Sequence, residues 1–145
     1  MDLEEARKLY YQYENELRAI DNKIEIHQHP YWWENSTDAV FLAIYKNQKI
    51  IGFSIVGYGK FSDPDVISEI CEIYLAPASR NLINFNKLFN KAYPYLKYPW
   101  GFQVLASNHQ ANFLFEQSLK RAKTRYTKNL SQDGETQVYK YRIFE

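Results

Sequence analysis

The sequence predicts a mixed α/β fold of the α+β type, in which a mostly antiparallel central sheet is flanked by helices. Three observations predict it. Apolar residues recur at three- and four-residue steps in three separate stretches, as amphipathic helices require. Between and after them lie short runs rich in β-branched and aromatic residues, bounded by polar turns and glycines. The resulting order is helix, three strands, helix, strand, helix, two strands, which buries its apolar faces as packed layers. At 145 residues with 46% apolar content, the chain makes one domain over residues 1–145 with a core of its own.

The first helix is read from Leu3, Ala6, Tyr10, Tyr13, Leu17 and Ile20, which share one face, with Asp2 as N-cap and Glu4 and Glu5 in the first turn. The segment IEIHQHPYWWENSTD is broken by Pro30 and reads as loop with a short helical turn. AVFLAIY and IIGFSIVGYG, joined by the polar KNQK, form an antiparallel hairpin. KFSDPD is a turn, and Val66 to Leu75 is a third strand, apolar enough to be central. After Pro77, the spacing of Leu82, Phe85, Phe89, Ala92 and Leu96 predicts the second helix, with Pro94 near its end. GFQVLAS is a strand and NHQANFLFEQSLKRA the third helix. TRYTKNL and TQVYKYRIF are a hairpin turning around Asp133 and Gly134.

Bulk properties narrow the chemistry. A net charge of +1 gives no strong attraction to nucleic acid or membrane, and neither is expected as a partner. The one basic run, Lys120, Arg121, Lys123, Arg125 and Lys128, reads as cations at a helix C-terminus and on a solvated strand face. Cys71 is the single cysteine, so no internal disulfide forms, and its apolar strand suits an inert thiol. His27 and His29 have no third ligand nearby, and no metal is expected. The N-terminal MDLEEARK lacks an apolar leader core and no run reaches membrane-spanning length; a soluble cytoplasmic protein is the expectation.

Three strings resemble the GNAT family of N-acetyltransferases, over roughly residues 38 to 144. FLAIYKNQKIIGFSIV looks like the family's second and third strands, EIYLAPASR like the fourth strand leading into the cofactor loop, and NHQANFLFEQ like its N-x-x-A-x-x-(L/F)-(Y/W)-E motif. The family's usual first strand has no clear counterpart. The resemblance implies acetyl-CoA as cosubstrate, held where two parallel strands splay apart, and transfer of its acetyl group to a primary amine, small or peptidyl. The cofactor's pyrophosphate would meet the N-terminus of the following helix, where free N–H groups and the helix dipole favour an anion.

In that family the loop reads R-x-x-G-x-G. Here Arg80 matches the arginine, while Ile83 and Phe85 stand at the glycine positions. Arg80, the backbone from Leu75 onward, and the side chains of Asn81, Asn84 and Asn86 are the candidate cofactor contacts. Asn108 opens the N-x-x-A motif; it reads as a helix N-cap and, by the resemblance, lies near the pantetheine arm. Glu72 is the candidate base, placed by strand alternation on one face with Ile70 and Tyr74, where apolar burial suits a carboxylate to accept a proton near neutrality. The family's tyrosine acid aligns with Phe115, which has no proton to give, so Tyr74 is the candidate acid. Tyr31, Trp32 and Trp33 lie on the family's acceptor side, as a substrate wall or as a core plug. Two readings follow: an N-acetyltransferase, or a non-catalytic binding module in which Ile83, Phe85 and Phe115 fill the former site. In either, an open sheet edge could be covered by a second copy in a homodimer.

Overall fold

The computed structural model describes residues 2–20, 32–34, 36–59 and 62–145. Helix α1 (Leu3–Ile20) is followed by strands β1 (Ala39–Lys46), β2 (Lys49–Tyr58) and β3 (Ser68–Leu75). Helix α2 (Leu82–Ala92), β4 (Trp100–Leu105), α3 (His109–Arg121), β5 (Arg125–Asp133) and β6 (Thr136–Phe144) complete the chain. The six strands form one sheet in the order β1-β2-β3-β4-β6-β5. Only the β3–β4 pair is parallel. This is the predicted architecture, with the predicted element order. Both hairpin turns are tighter than the sequence suggests. Asn47 and Gln48 alone join β1 to β2, each at positive φ, and Lys46 and Lys49 pair as strand residues.

The two faces of the sheet are covered differently. On one, α2 and α3 pack Phe85, Leu88, Phe89, Phe115 and Leu119 against Ile70, Leu75, Trp100, Phe102, Tyr141 and Ile143. On the other, α1 packs Ala6, Leu9 and Tyr10 against Phe53, Ile55, Tyr74 and Trp33. The α1 face is rotated slightly from the predicted one. Leu9 and Glu14 are buried, whereas Leu3 and Ile20, at the helix ends where the sheet no longer covers them, are exposed.

Strand β3 departs from simple alternation. Ile55 of β2 faces Glu72 but the next residue, Val56, faces Ile70, so Cys71 is an inserted bulge. The bulge resets the faces. Ile70, Ile73 and Leu75 turn toward α2 and α3, while Tyr74 packs on the α1 side, where the Glu72 carboxylate meets Tyr10. The expectation that Glu72 shares a face with both Ile70 and Tyr74 is therefore corrected for Ile70: alternation breaks wherever one residue is added to a strand.

The β2–β3 connection is pinned to the sheet by charge. Buried Glu69 accepts from the backbone N–H of Ser62 and Asp63. Asp63, 2% exposed, accepts from Arg142 of β6 at 2.8 and 3.2 Å. Burial alone would raise the Asp63 carboxyl, but the Arg142 hydrogen bond and charge outweigh it and hold the group below the usual aspartate value. A lowered native pKa means the contribution is present above the unfolded value of about 3.9 and is lost as pH falls through the native value. Asp63→Asn is expected to cost about 2 kcal/mol in urea unfolding at neutral pH, with the gap to the parent closing as pH falls from the unfolded value of about 3.9 through the lowered native one.

Candidate active site

Strands β3 and β4 pair only at Ser68–Trp100 and Glu69–Gly101 and then part, each keeping its other neighbour to its far end. Past that point the two strands no longer pair with each other, and at their ends Leu75 C=O and Leu105 C=O accept from the side chains of Arg80 and Asn112. A cleft of about 870 Å³ opens there. Its floor is Ile70 to Leu75 and Gln103 to Leu105. Its walls come from Tyr13, Glu16 and Leu17 of α1, from Asn108, Ala111 and Leu114 at the start of α3, and from the β5–β6 hairpin tip.

At one end Arg80 and Phe85 line the cleft, on either side of the N-terminus of α2. Asn81 caps it, its side-chain oxygen accepting from Asn84 N–H at 2.8 Å, and Phe85 N–H makes the first helical bond to Asn81 C=O. The first-turn N–H groups of Leu82 and Ile83 remain as donors for an anion. Asn84 donates to Ser79 C=O, so its side chain and that of Asn81 shape the loop from within. Asn86 lies elsewhere. Its carbonyl oxygen accepts from Ser118 of α3 at 2.7 Å, which puts the side chain between two helices and corrects the expectation of a cofactor contact.

The residues at the glycine positions do not fill the cleft. Ile83 is 69% exposed and points to solvent. Phe85 turns inward and meets Phe115 edge-on at 5.0 Å, forming part of the core and of the cleft wall. Phe115 in turn stacks on Phe102 at 3.9 Å. The donor set fits an acyl-CoA at the helix start and along the open strand edges. It fits less simply at Arg80, whose guanidinium is already engaged.

That engagement involves a residue the sequence reading missed. Arg80 Nε donates to Leu75 C=O at 2.9 Å, and Nη2 lies 2.7 Å from both carboxylate oxygens of Glu16. The Tyr74 hydroxyl donates to the same carboxylate, and the guanidinium lies over the Tyr74 ring, 5.2 Å from its centroid. Glu16 follows Tyr13 by three residues on α1, so its proximity to the apolar face was the available signal.

Glu72 lines the cleft at 8% exposure, with one oxygen accepting from the Tyr10 hydroxyl at 2.8 Å. Burial, then the Glu72 charge, pushes the Tyr10 and Tyr13 phenols above the ordinary tyrosine value. Both therefore stay protonated, and Tyr10 holds the carboxylate as a donor. Burial, then the hydrogen bond and charge of Glu16, likewise raises Tyr74, so it too is a hydrogen-bond donor rather than a source of phenolate. Burial and the charges of Glu69 and Glu72 raise the Cys71 thiol, which is consistent with an inert sulfur.

Asn108 caps α3 through Ala111 N–H at 3.1 Å and lines the cleft. Asn112, not singled out in the sequence, locks α3 to the sheet. It donates to Leu105 C=O and accepts from Tyr141 at 2.8 Å. Trp33 is buried against Phe41, their ring centroids 4.3 Å apart, and Trp32 packs beside that cluster; neither is among the cleft residues. Tyr31, His27 and His29 fall outside the described residues. Among those described, no group of histidine, cysteine and carboxylate side chains is arranged for a metal, and no helix is long and apolar enough to cross a membrane.

No family model matches the sequence, and no curated protein matches it significantly. Solved structures do match. An acetyltransferase of the GNAT family from Streptococcus pneumoniae superposes with TM-score 0.54 at 14% identity, over 78% of this chain and 71% of that one. The chain has the GNAT fold. PaiA N-acetyltransferase from Thermoplasma acidophilum, in complex with coenzyme A, gives TM-score 0.61 at 14% identity over 96% of this chain and 91% of that one. A Bacillus anthracis protein described as a streptothricin acetyltransferase, in complex with acetyl coenzyme A, gives 0.58 at 15% over 78% and 66%. The GNAT fold thus carries coenzyme A or its acetyl ester in two of these neighbours.

Proposed function

We propose that this GNAT-fold chain is an acyl-CoA-dependent N-acyltransferase that moves an acetyl group from acetyl-CoA to a primary amine. The observation that carries the reading is the open cleft at the β3–β4 divergence, lined by Arg80 and Phe85 beside the start of α2 and by a buried carboxylate, Glu72, on its floor. An acetyl thioester supplies an activated carbonyl and a thiolate that leaves readily. The chain's own groups supply the rest.

Leu82 and Ile83 N–H groups and the dipole of α2 would receive the phosphates. The unpaired backbone donors of β3 would align the thioester and stabilise charge developing on its oxygen. An amine arriving as ammonium must lose a proton before it can attack. Glu72, fixed by Tyr10 and facing the α1 side of the cleft, is the acceptor for that proton. Tyr74 is placed two residues along the same face and would donate a hydrogen bond to the departing sulfur once its own partner moves.

The Arg80–Glu16 pair and the missing hydroxyl at Phe115 favour the second reading, a GNAT-fold binding module without transfer. Calorimetric titration with acetyl-CoA separates the two. Saturable binding at micromolar concentration is expected; no heat and no thermal shift at millimolar acetyl-CoA would leave the binding module standing alone.

A further inference from the structure

Glu16 occupies a place that a ligand carboxylate would suit. Its two oxygens lie against Arg80 Nη2 at 2.7 Å, and one of them also accepts from the Tyr74 hydroxyl. Arg80 is itself held in place, through Nε to Leu75 C=O and by its position over the Tyr74 ring. A guanidinium nitrogen that reaches both oxygens of one carboxylate is a receptor for a two-oxygen anion. Glu16 sits in it with its side chain about one-third exposed, at 34%, so rotation about its own bonds suffices to vacate it.

The receptor also lies on the base's side of the sheet. Tyr74 shares the α1-facing side of β3 with Glu72 by strand alternation, and the bulge at Cys71 puts Ile70 on the opposite side with Ile73. Glu16, Arg80, Tyr74 and Glu72 all line the one cleft. An anion bound by Arg80 beside the Tyr74 ring would therefore lie along the same face as the proton acceptor, one alternate residue away.

We infer that Arg80, held by Leu75 C=O and by its place over the Tyr74 ring, is a carboxylate receptor for the amine acceptor, filled by Glu16 until the acceptor displaces it and frees the Tyr74 hydroxyl. The acceptor class is an amine that carries its own carboxylate, such as an amino acid. This rests on the transferase reading for the role of the amine but not for the binding of the carboxylate. The chemistry offered at the receptor also suits a phosphate oxyanion, so the cofactor is the rival source.

The test is calorimetry on the full chain with paired probes. Glycine, lysine and phenylalanine are each compared with methylamine, 1,5-diaminopentane and phenethylamine, alongside acetyl-CoA and inorganic pyrophosphate. The amino acids are expected to bind more tightly than their partner amines. Glu16→Gln, which removes the internal competitor while keeping its shape, is expected to tighten them by about fivefold and leave the amines unchanged. Arg80→Lys, which keeps the charge but loses the planar guanidinium and its anchor on Leu75 C=O, is expected to erase the preference.

If Glu16→Gln tightens acetyl-CoA and pyrophosphate but not the amino acids, the receptor belongs to the cofactor's phosphates and the acceptor assignment falls. It falls also if no amino acid binds any variant, or if Glu16→Gln changes nothing. Failure of acetyl-CoA alone to bind sinks the transferase reading and leaves the amino-acid titrations to decide the receptor.

Discussion

Turnover of Glu72→Gln at saturating acetyl-CoA and neutral pH is expected to fall by roughly 10²–10⁴-fold, with affinity for acetyl-CoA unchanged. The substitution keeps the side chain's size and still offers an oxygen to the Tyr10 hydroxyl, so packing between α1 and β3 is retained. What it removes is a group able to take a proton. An ammonium has a reference pKa of about 10.4, so without an acceptor only the small neutral fraction at pH 7 can react. Raising the pH should therefore restore part of the lost rate in the variant. Initial rates across pH, with acetyl-CoA affinity measured separately, check both halves. Unchanged turnover at neutral pH would remove Glu72 from the reaction and leave the amine to lose its proton to water.

Restoring glycine at the two loop positions is expected to give opposite outcomes. Phe85→Gly should lower stability by about 4–6 kcal/mol, most of that from the emptied core and about 1 from glycine in a helix. Phe85 is 4% exposed, edge-on to Phe115 and part of the cluster joining α2 to β3 and β4. For a domain of ordinary stability such a loss leaves little margin at room temperature. Ile83→Gly removes a side chain that touches mainly water and should cost no more than about 1 kcal/mol. Chemical denaturation of both variants reads the difference. A Phe85→Gly protein as stable as its parent would show that the ring contributes nothing to the core. A large loss in Ile83→Gly would show that its exposure is wrongly assigned.

Those contrasting positions show what the sequence could and could not reveal. The helix spacing of Leu82, Phe85 and Phe89 told correctly that Phe85 belongs to the core, because a period of 3.6 marks which residues share a side. Leu82 fits the same spacing yet is exposed, since it stands in the first turn, beyond the reach of the sheet. The strand order and the parting of β3 from β4 were legible through the resemblance of EIYLAPASR and NHQANFLFEQ to known strings. Glu72 was found because it sits in one of them. Glu16 was not, since its importance comes from a contact across 64 residues with Arg80, and no local pattern encodes that distance. Asn86 misled for the opposite reason: a polar residue near a helix start looks like a cap or a ligand, and only the packing of α2 on α3 reveals Ser118 as its partner.

The inserted residue in β3 has a consequence for how this chain tolerates change. Replacing the Cys71 side chain alters one contact, and deleting the residue would join Ile70 to Glu72 in unbroken alternation, with each side chain kept on its present face and only the local bend and twist of the bulge removed. A local bend of the strand, more than chemical identity, is what this position contributes.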